Sequence, residues 1–522
     1  MPSLSRPARG VRVKEPSFGT CLVRGTDHAA DVTGKFSRAY YARRQVFNAD
    51  NTYFFTIGEG WHHLYDAKTM KHLRKLSPRA VNSSLPKEYH INSDSEAQWD
   101  AKDPNSMYYL SASGGKKLMK LDVRNNSYKV VADFSNSLPS WASGATRVWA
   151  KWEGSSSKDS RYWGFQVENS SGTILGYIVW DLLLNKLAGS MQSSIQSDHT
   201  SMSPSGRWIV LASHTSGTWA YSPDFKTKKK LMGTSGHSDL AIGANGHDHY
   251  VSIDYASSKG DVFMVDLDTC PSVAASASTA AYCPRTVLFQ QYIDGSSSAM
   301  HISGKAYDRP GWVVVSAYGH KNSRDGSTPW YADKVFAMEM RANPRIYPIA
   351  YTRRTKASTG DSYWSEPHAT TNRNLTQIAF NSNWGGSSYE DVDTYIVKLP
   401  VSALPGSVVT TPPTRVTGGN TPPSSRYSGA TGITSSMKPT TTTAASTTAA
   451  PTTVVGDAPV SSPTTWVSPG MRFVRNAVSV VQGAEAAAAG TDLYISRAAI
   501  WSLPSVAWLR SVLVDEEALR ER

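Results

Sequence analysis

The sequence predicts an all-β fold, a seven-bladed β-propeller followed by a Thr/Ser/Pro-rich linker and a short, weakly helical tail. Three observations carry this. A short strand of alternating apolar residues ending in an acidic turn recurs along the chain, a polar turn followed by a β-rich run precedes each copy, and helix-period patterns are almost absent before residue 470. The 522 residues include 16 Trp and 25 Tyr but only 18% charged residues, which suits a large core built from many short strands.

The first register reads HHLYDA at 62–67, LMKLDV at 118–123, YIVWDL at 177–182 and VFMVDL at 262–267. Looser copies are TWAYSPD at 218–224, VFAMEM at 335–340 and TYIVKL at 394–399, which makes seven. The second register reads NADNTYFFTI, DPNSMYYLSA, SKDSRYWGFQV, SPSGRWIVLA, ANGHDHYVSI, DRPGWVVVSA and NRNLTQIAFNS. Asn, Asp, Pro and Gly supply the tight turns, and the Tyr, Phe, Val, Ile and Trp that follow fit a pleated, half-buried surface. Each unit is therefore expected to be a four-stranded meander. Acidic turns separated by about 40 to 70 residues match propeller blades with loop insertions.

The segment SFGTCLVRGT is a lone strand ahead of the first blade, placed to pair into the last one and close the ring. On this pattern residues 15–402 form the propeller. Residues 403–468, with runs such as TTTTAASTTAAPTT, form a disordered linker that cannot bury enough apolar area to offset chain entropy. Residues 469–522 form a short helical tail, its pattern broken by Pro504.

The net charge of +12 suits an anionic partner, whether nucleic acid, acidic polysaccharide or a membrane surface. No RNA-recognition, helix-turn-helix or zinc-finger signature accompanies the scattered Lys and Arg, so nucleic acid is not the expected partner. No apolar run is long enough for a membrane span. Cys270 and Cys283 bracket a loop short enough to be closed by a disulfide, whereas Cys21 stands alone. An oxidising location, secreted or periplasmic, is expected although no signal peptide is visible at the start.

In a propeller the innermost strand of each blade lines the axis, and polar residues just ahead of each turn register converge there. Those residues are Gln98, Arg147, His199, His237, His301 and His368. Four of the thirteen histidines thus occupy one repeat position in four consecutive blades. Gathered in a cavity, such imidazoles coordinate a divalent metal, act as general base or bind anionic groups, unless they serve the blade scaffold. Glu366 and Asp239 flank these histidines, as orienting groups or turn caps, and Tyr307 follows His301 as a candidate proton donor. His62 and His63, on a repeated strand read as inner-blade, are expected to pack, and His247 and His249 to face solvent at a turn. No G-x-S-x-G elbow, Walker A loop or dinucleotide fingerprint occurs.

The turn SPSGRWIV resembles the WD40-like, TolB-type propeller repeat, and the ordered set SDHTSMSPSG, GHSDL, HISG and EPHATTNRNLTQIAFNSNWG resembles the oligogalacturonate lyase group of polysaccharide lyases. The resemblance spans residues 15–400 or so and implies β-elimination of a uronate-containing chain, assisted by a divalent metal such as manganese, or calcium. It implies His301 and His368 as metal ligands, with His199 and Gln98 as further candidates, and His237 as the active-site histidine. Arg147 would neutralise the substrate carboxylate and Tyr307 would assist catalysis. In the last blade, where the family clusters its ligands, this chain offers only Glu366 and His368. The alternative is a non-catalytic propeller platform that binds carbohydrate or protein.

Overall fold

The computed structural model describes residues 1–406 other than 33–35, 79–83, 87–88, 112–113, 356–361 and 389. Of the linker expected over residues 403–468, only 403–406 are described, and there Leu404 is buried in the seam between blades 6 and 7; residues 407–468 and the helical tail lie outside the described residues.

Seven antiparallel sheets are arranged in chain order as seven blades. In six of them the strands run in sequence outward from an inner strand: Gln98–Trp99 in blade 2, Ala145–Trp149 in blade 3, Thr200–Met202 in blade 4, Ser238–Ile242 in blade 5, Ser297–Ser303 in blade 6 and Thr370–Thr371 in blade 7. Blade 1 has three regular strands, Tyr53–Gly58, Trp61–Asp66 and His72–Leu76. Its inner position is filled by an irregular segment that bridges Arg38 to Ile57 and Phe47 to Phe54. Among the described residues no helix is long and apolar enough to cross a membrane.

Both sequence registers land on fixed places. The β-rich runs are the second strands of their blades, such as Ser106–Leu110 and Trp312–Lys321, and the acid-ended motifs are the third strands, such as Lys117–Asp122 and Asp261–Asp266. The acid recurs because its carboxylate caps the turn that follows. Asp66 Oδ1 accepts from the backbone N–H of Lys68 and Thr69, Asp181 Oδ1 from Leu183 and Leu184, and Asp266 Oδ1 from Asp268 and Thr269. The strand carrying His62 and His63 is accordingly the third of blade 1, not an inner one.

Alternation along the second and third strands buries one hydrophobic cluster in every seam between neighbouring blades. Tyr108, Leu110 and Leu118 of blade 2 pack with Trp163, Phe165 and Ile178 of blade 3. Val251 and Val262 of blade 5 pack with Val313, Val315 and Phe336 of blade 6. No single central core exists, so the axis is left to polar side chains.

The N-terminal strand, Cys21–Arg24, pairs antiparallel with Asp393–Lys398 as the fourth strand of blade 7, as the ring-closure expectation requires, and Arg12–Lys14 pairs outside it as a fifth. A buried carboxylate fastens this join. Asp393, fully buried, accepts from Arg24 Nε at 2.9 Å, Thr26 Oγ1 at 2.8 Å and the His28 backbone N–H at 2.9 Å. Cys270 and Cys283 are joined as a disulfide with Cα atoms 5.4 Å apart. The loop they close folds back so that Val273–Ala274 forms a fifth strand on the outer edge of blade 4.

Candidate functional site

In blades 2 to 7 the chain enters at the inner strand and proceeds outward antiparallel, so these inner strands all run the same way along the axis. Residues just before them gather at one end. His199 and His237 immediately precede their strands, His368 precedes Thr370–Thr371 by two residues, and His301 lies within Ser297–Ser303.

Three of the four histidines meet. The rings of His301 and His368 stack with centroids 4.0 Å apart and 24° between planes, and His237 also stacks on His301 at 4.5 Å and 29°. Glu366 Oε2 lies 3.0 Å from His301 Nε2 and 3.7 Å from His368 Nε2. Aromatic rings enclose the group: Tyr318 stacks on His301 at 4.8 Å, Tyr41 meets His301 and His368 at 5.2 and 4.7 Å, and Tyr363 meets His368 at 5.2 Å.

This environment keeps the imidazoles neutral. Burial, reinforced by the neighbouring imidazole of His301, lowers the His237 pKa to about 3. Burial and the positive fields of Arg38 and Arg354 hold His301 and His368 well below the ordinary value. Burial also pushes the Glu366 carboxyl up to about 7 against the opposing pull of Arg354 and His237. His301 Nδ1 and both ring nitrogens of His368 are buried without a hydrogen-bond partner. Orphaned buried polar atoms are rare and costly. His368 also holds a left-handed backbone at φ +40°, the kind of local strain that collects at functional sites.

His237 is oriented differently. Its Nδ1–H donates to the Met300 carbonyl at 2.7 Å, which leaves the lone pair on Nε2.

His199 belongs to an adjoining group. Its Nδ1 lies 3.5 Å from Asp198 Oδ2, and Asp198 and Glu153 have carboxylate oxygens within 4.8 Å of it and of each other. Arg43, buried, pairs with Glu153 and stacks 5.0 Å over Tyr41, linking this group to the histidine column. Burial, with the charge of Asp198 adding to it, raises Glu153 to about 7 despite the opposing pull of Arg43.

The other expected site residues sit elsewhere. Asp239 makes no hydrogen bond to His237 among the described residues. Its carboxylate takes Lys305 Nζ at 2.9 Å and the Gly304 backbone N–H at 2.7 Å, and Lys305 also reaches Ser155 Oγ at 3.1 Å and Tyr307 OH at 3.3 Å. Tyr307 and Gln98 line a solvent-facing cleft together with Arg44, Ser156, Lys158 and Arg373, toward the opposite, C-terminal end of the inner strands. The Gln98 amide is engaged by the blade 3 loop, donating to Gly154 O at 3.3 Å and accepting from Ser156 N at 3.0 Å. Arg147 lies 4.0 Å over the Trp149 ring, in the field of Glu96 and Glu168. His63 bonds His72 at 3.1 Å, and His247 bonds Asp266 at 2.8 Å in the turn.

Sequence reasoning missed Arg38, Tyr41 and Arg43. All three come from SRAYYARRQV, ahead of the first repeat, where Arg38, Arg43 and Arg44 are each 1% exposed. The available signal was three arginines set among aromatic and small residues in a stretch with no turn chemistry.

A resident metal fits the His301, His368 and Glu366 set. Two imidazoles and one carboxylate converge, the nitrogens are neutral, and several lack any other partner. This donor set suits manganese or another first-row divalent ion better than calcium, which takes oxygen ligands.

No family model and no curated protein sequence matches the chain. Among solved structures it is similar to an oligogalacturonate lyase in complex with manganese, at 14% identity over 76% of this chain and 100% of that one, with a TM-score of 0.49. It is also similar to an oligogalacturonate lyase from Vibrio parahaemolyticus, at 12% identity over 76% and 100% with a TM-score of 0.48. The Pan2 WD40 domain of Neurospora crassa follows at 11% identity over 75% and 96%, with a TM-score of 0.40.

Proposed function

We propose that the protein is a polysaccharide lyase that cleaves a uronate-containing chain by β-elimination at the histidine-lined end of the propeller axis. The observation that carries the reading is the stacked set of half-buried His237 with buried His301 and His368, closed by Glu366, in which His301 Nδ1 and both His368 nitrogens have no protein hydrogen-bond partner.

In such a reaction a base removes the proton on the carbon next to the carboxylate, and the electron pair expels the glycosidic oxygen two bonds away. A carbon–carbon double bond forms in the sugar, and the leaving oxygen takes a proton. His237 suits the base, because its Met300 bond leaves Nε2 as the acceptor and a bound uronate carboxylate would raise its proton affinity. Tyr41 and Tyr318, whose hydroxyls burial keeps protonated, suit proton donation to the leaving oxygen. A divalent ion held by His301, His368 and Glu366 would withdraw charge from the substrate carboxylate. Arg38, Arg43 and Arg354 add positive field around the same space. His199, with Asp198 and Glu153, would meet the next sugar along the axis, and Tyr307 with Lys305 a longer chain.

The disulfide supports a secreted or periplasmic setting. The competing reading, a binding platform without turnover, draws support from the close ring stacking of the histidines, which also suits a scaffold.

His237→Ala separates the two. A lyase loses turnover in this variant while manganese binding, read by calorimetry, persists. A variant that binds a uronate oligosaccharide as the parent does, with no turnover in either, identifies the platform.

A further inference from the structure

The outer edge of blade 4 carries a second charged feature, remote in sequence from the histidines. Its fourth strand, Thr227–Met232, follows the turn at Asp224 and opens the run Lys226 to Lys230. Alternation divides these lysines between two faces. Lys229 points inward: it is 3% exposed, lies 4.1 Å over the Trp208 ring and donates to the Leu267 carbonyl. Lys226, Lys228 and Lys230 share the opposite face, spaced about 6.6 Å apart along the strand.

Two aromatic rings border that face. Trp219 pairs in register with Lys230 on the neighbouring strand, and Tyr282, 55% exposed, is bridged to Lys230 from the disulfide loop. Lys228 Nζ lies 5.0 Å from the Trp219 ring centroid, and Lys230 Nζ lies 5.7 Å from Trp219 and 4.2 Å from Tyr282. Lys226 pairs only with exposed Asp224 at 3.5 Å, and among the described residues no carboxylate lies within ion-pair reach of Lys228 or Lys230. Residues 271–282 of the loop contain no charged side chain.

Lysines on an edge strand usually serve to discourage edge-to-edge pairing. That role is already filled here. Val273–Ala274 pairs with Thr227 and Lys228, and the Cys270–Cys283 bond holds the loop that covers the edge.

We propose that this face is an auxiliary binding site for an acidic polysaccharide, separate from the axial site. The partner's identity rests on the lyase reading above. Three unneutralised or weakly paired ammoniums in a row match a polymer with a regularly repeated carboxylate. Lysine ammoniums lie over the Trp219 and Tyr282 rings and compete there with base stacking, which favours a polymer read by its carboxylates over a single-stranded nucleic acid. The disulfide likewise indicates an oxidising compartment.

The test uses the full chain and labelled polygalacturonate, with binding read by fluorescence anisotropy across a salt series. The triple variant Lys226→Glu, Lys228→Glu, Lys230→Glu is expected to lose about tenfold or more in affinity at low salt and to flatten the salt dependence. An all-arginine triple retains binding. If the reversed triple does not fold, Lys226→Glu, at a side chain 82% exposed, shows the same direction alone. Unchanged affinity in the reversed variant overturns the proposal, as does tighter binding of an oligonucleotide of equal charge. Cleavage is read separately on a short oligosaccharide that occupies only the axial site, and it stays unchanged in the variants. Polymer binding through this face with no cleavage by the parent leaves this site standing and removes the lyase reading.

Discussion

Glu366 and His301 come from blades 7 and 6, 65 residues apart, and bring Oε2 and Nε2 to 3.0 Å in a buried space. With His368 stacked 4.0 Å beyond, the pair forms a three-donor set whose remaining ring nitrogens have no protein partner.

Metal addition is therefore expected to stabilise the fold. A ligand that binds only the folded state at about a hundred times its Kd contributes about 2.7 kcal/mol. Manganese should raise the Tm of the parent and of His237→Ala, and leave the Tm of His301→Ala, His368→Ala and Glu366→Gln unchanged. Differential scanning fluorimetry with and without a chelator checks this.

Acid should open the ring at its N-terminal join. The Asp393 carboxyl is raised by burial but pulled lower overall by its His28 bond and by Arg24 and Arg6, so its folded pKa lies below its unfolded one. The stabilisation is complete above the ordinary carboxylate range and disappears as pH falls through the lowered folded value. Asp393→Ala strands the partner arginines and is expected to cost about 3 to 5 kcal/mol at pH 7. Its deficit against the parent should shrink in strong acid, which urea denaturation at both pH values measures.

Lys305 and Asp239 pair at 2.9 Å with both side chains at most 3% exposed, tying blade 6 to blade 5 across the axis wall. Asp239→Ala leaves a buried ammonium and should cost about 3 to 5 kcal/mol, while Asp239→Leu with Lys305→Met recovers much of the loss. The coupling appears in a double-mutant cycle of urea midpoints.

The Cys270–Cys283 bond closes a short loop at a separation of 13 residues, so its loss is expected to cost about 3 kcal/mol on the chain-entropy account. Hydrogen exchange in the Cys270Ser/Cys283Ser variant should rise first in the backbone N–H of Ala275 and Cys283, which bond Lys226 and Lys230 of blade 4.

Blade count was legible because the turn chemistry is local. An Asp such as Asp66 or Asp181 accepts N–H groups only two or three residues onward, so it marks the end of a strand without reference to the rest of the fold, but not that the strand is the third of its blade rather than an inner one. The N-terminal strand at Cys21–Arg24 was legible for a related reason, standing ahead of the first blade repeat. Convergence of His237, His301 and His368 followed from their shared position ahead of the turn register on the inner segments of three consecutive blades.

Depth along the axis was not legible. Gln98 takes the inner position of blade 2 and Tyr307 follows His301 in blade 6, yet both lie toward the other end, because short inner strands such as Gln98–Trp99 leave much of each segment irregular. The inner wall of blade 1 escaped detection because its segment makes only isolated bridges and so lacks the strand alternation that patterning detects. Pairings such as Arg43 with Glu153, 110 residues apart, arise from ring closure, which no local signal encodes.

The central claim, metal-assisted β-elimination at the His237, His301 and His368 column, is tested most directly by following ultraviolet absorbance of the unsaturated uronate product. The substrates are a panel of acidic polysaccharides, with manganese and with chelator. The account predicts a rise on at least one substrate that manganese supports, chelator suppresses and His237→Ala abolishes. No rise on any substrate, from folded protein shown to bind manganese, would contradict it.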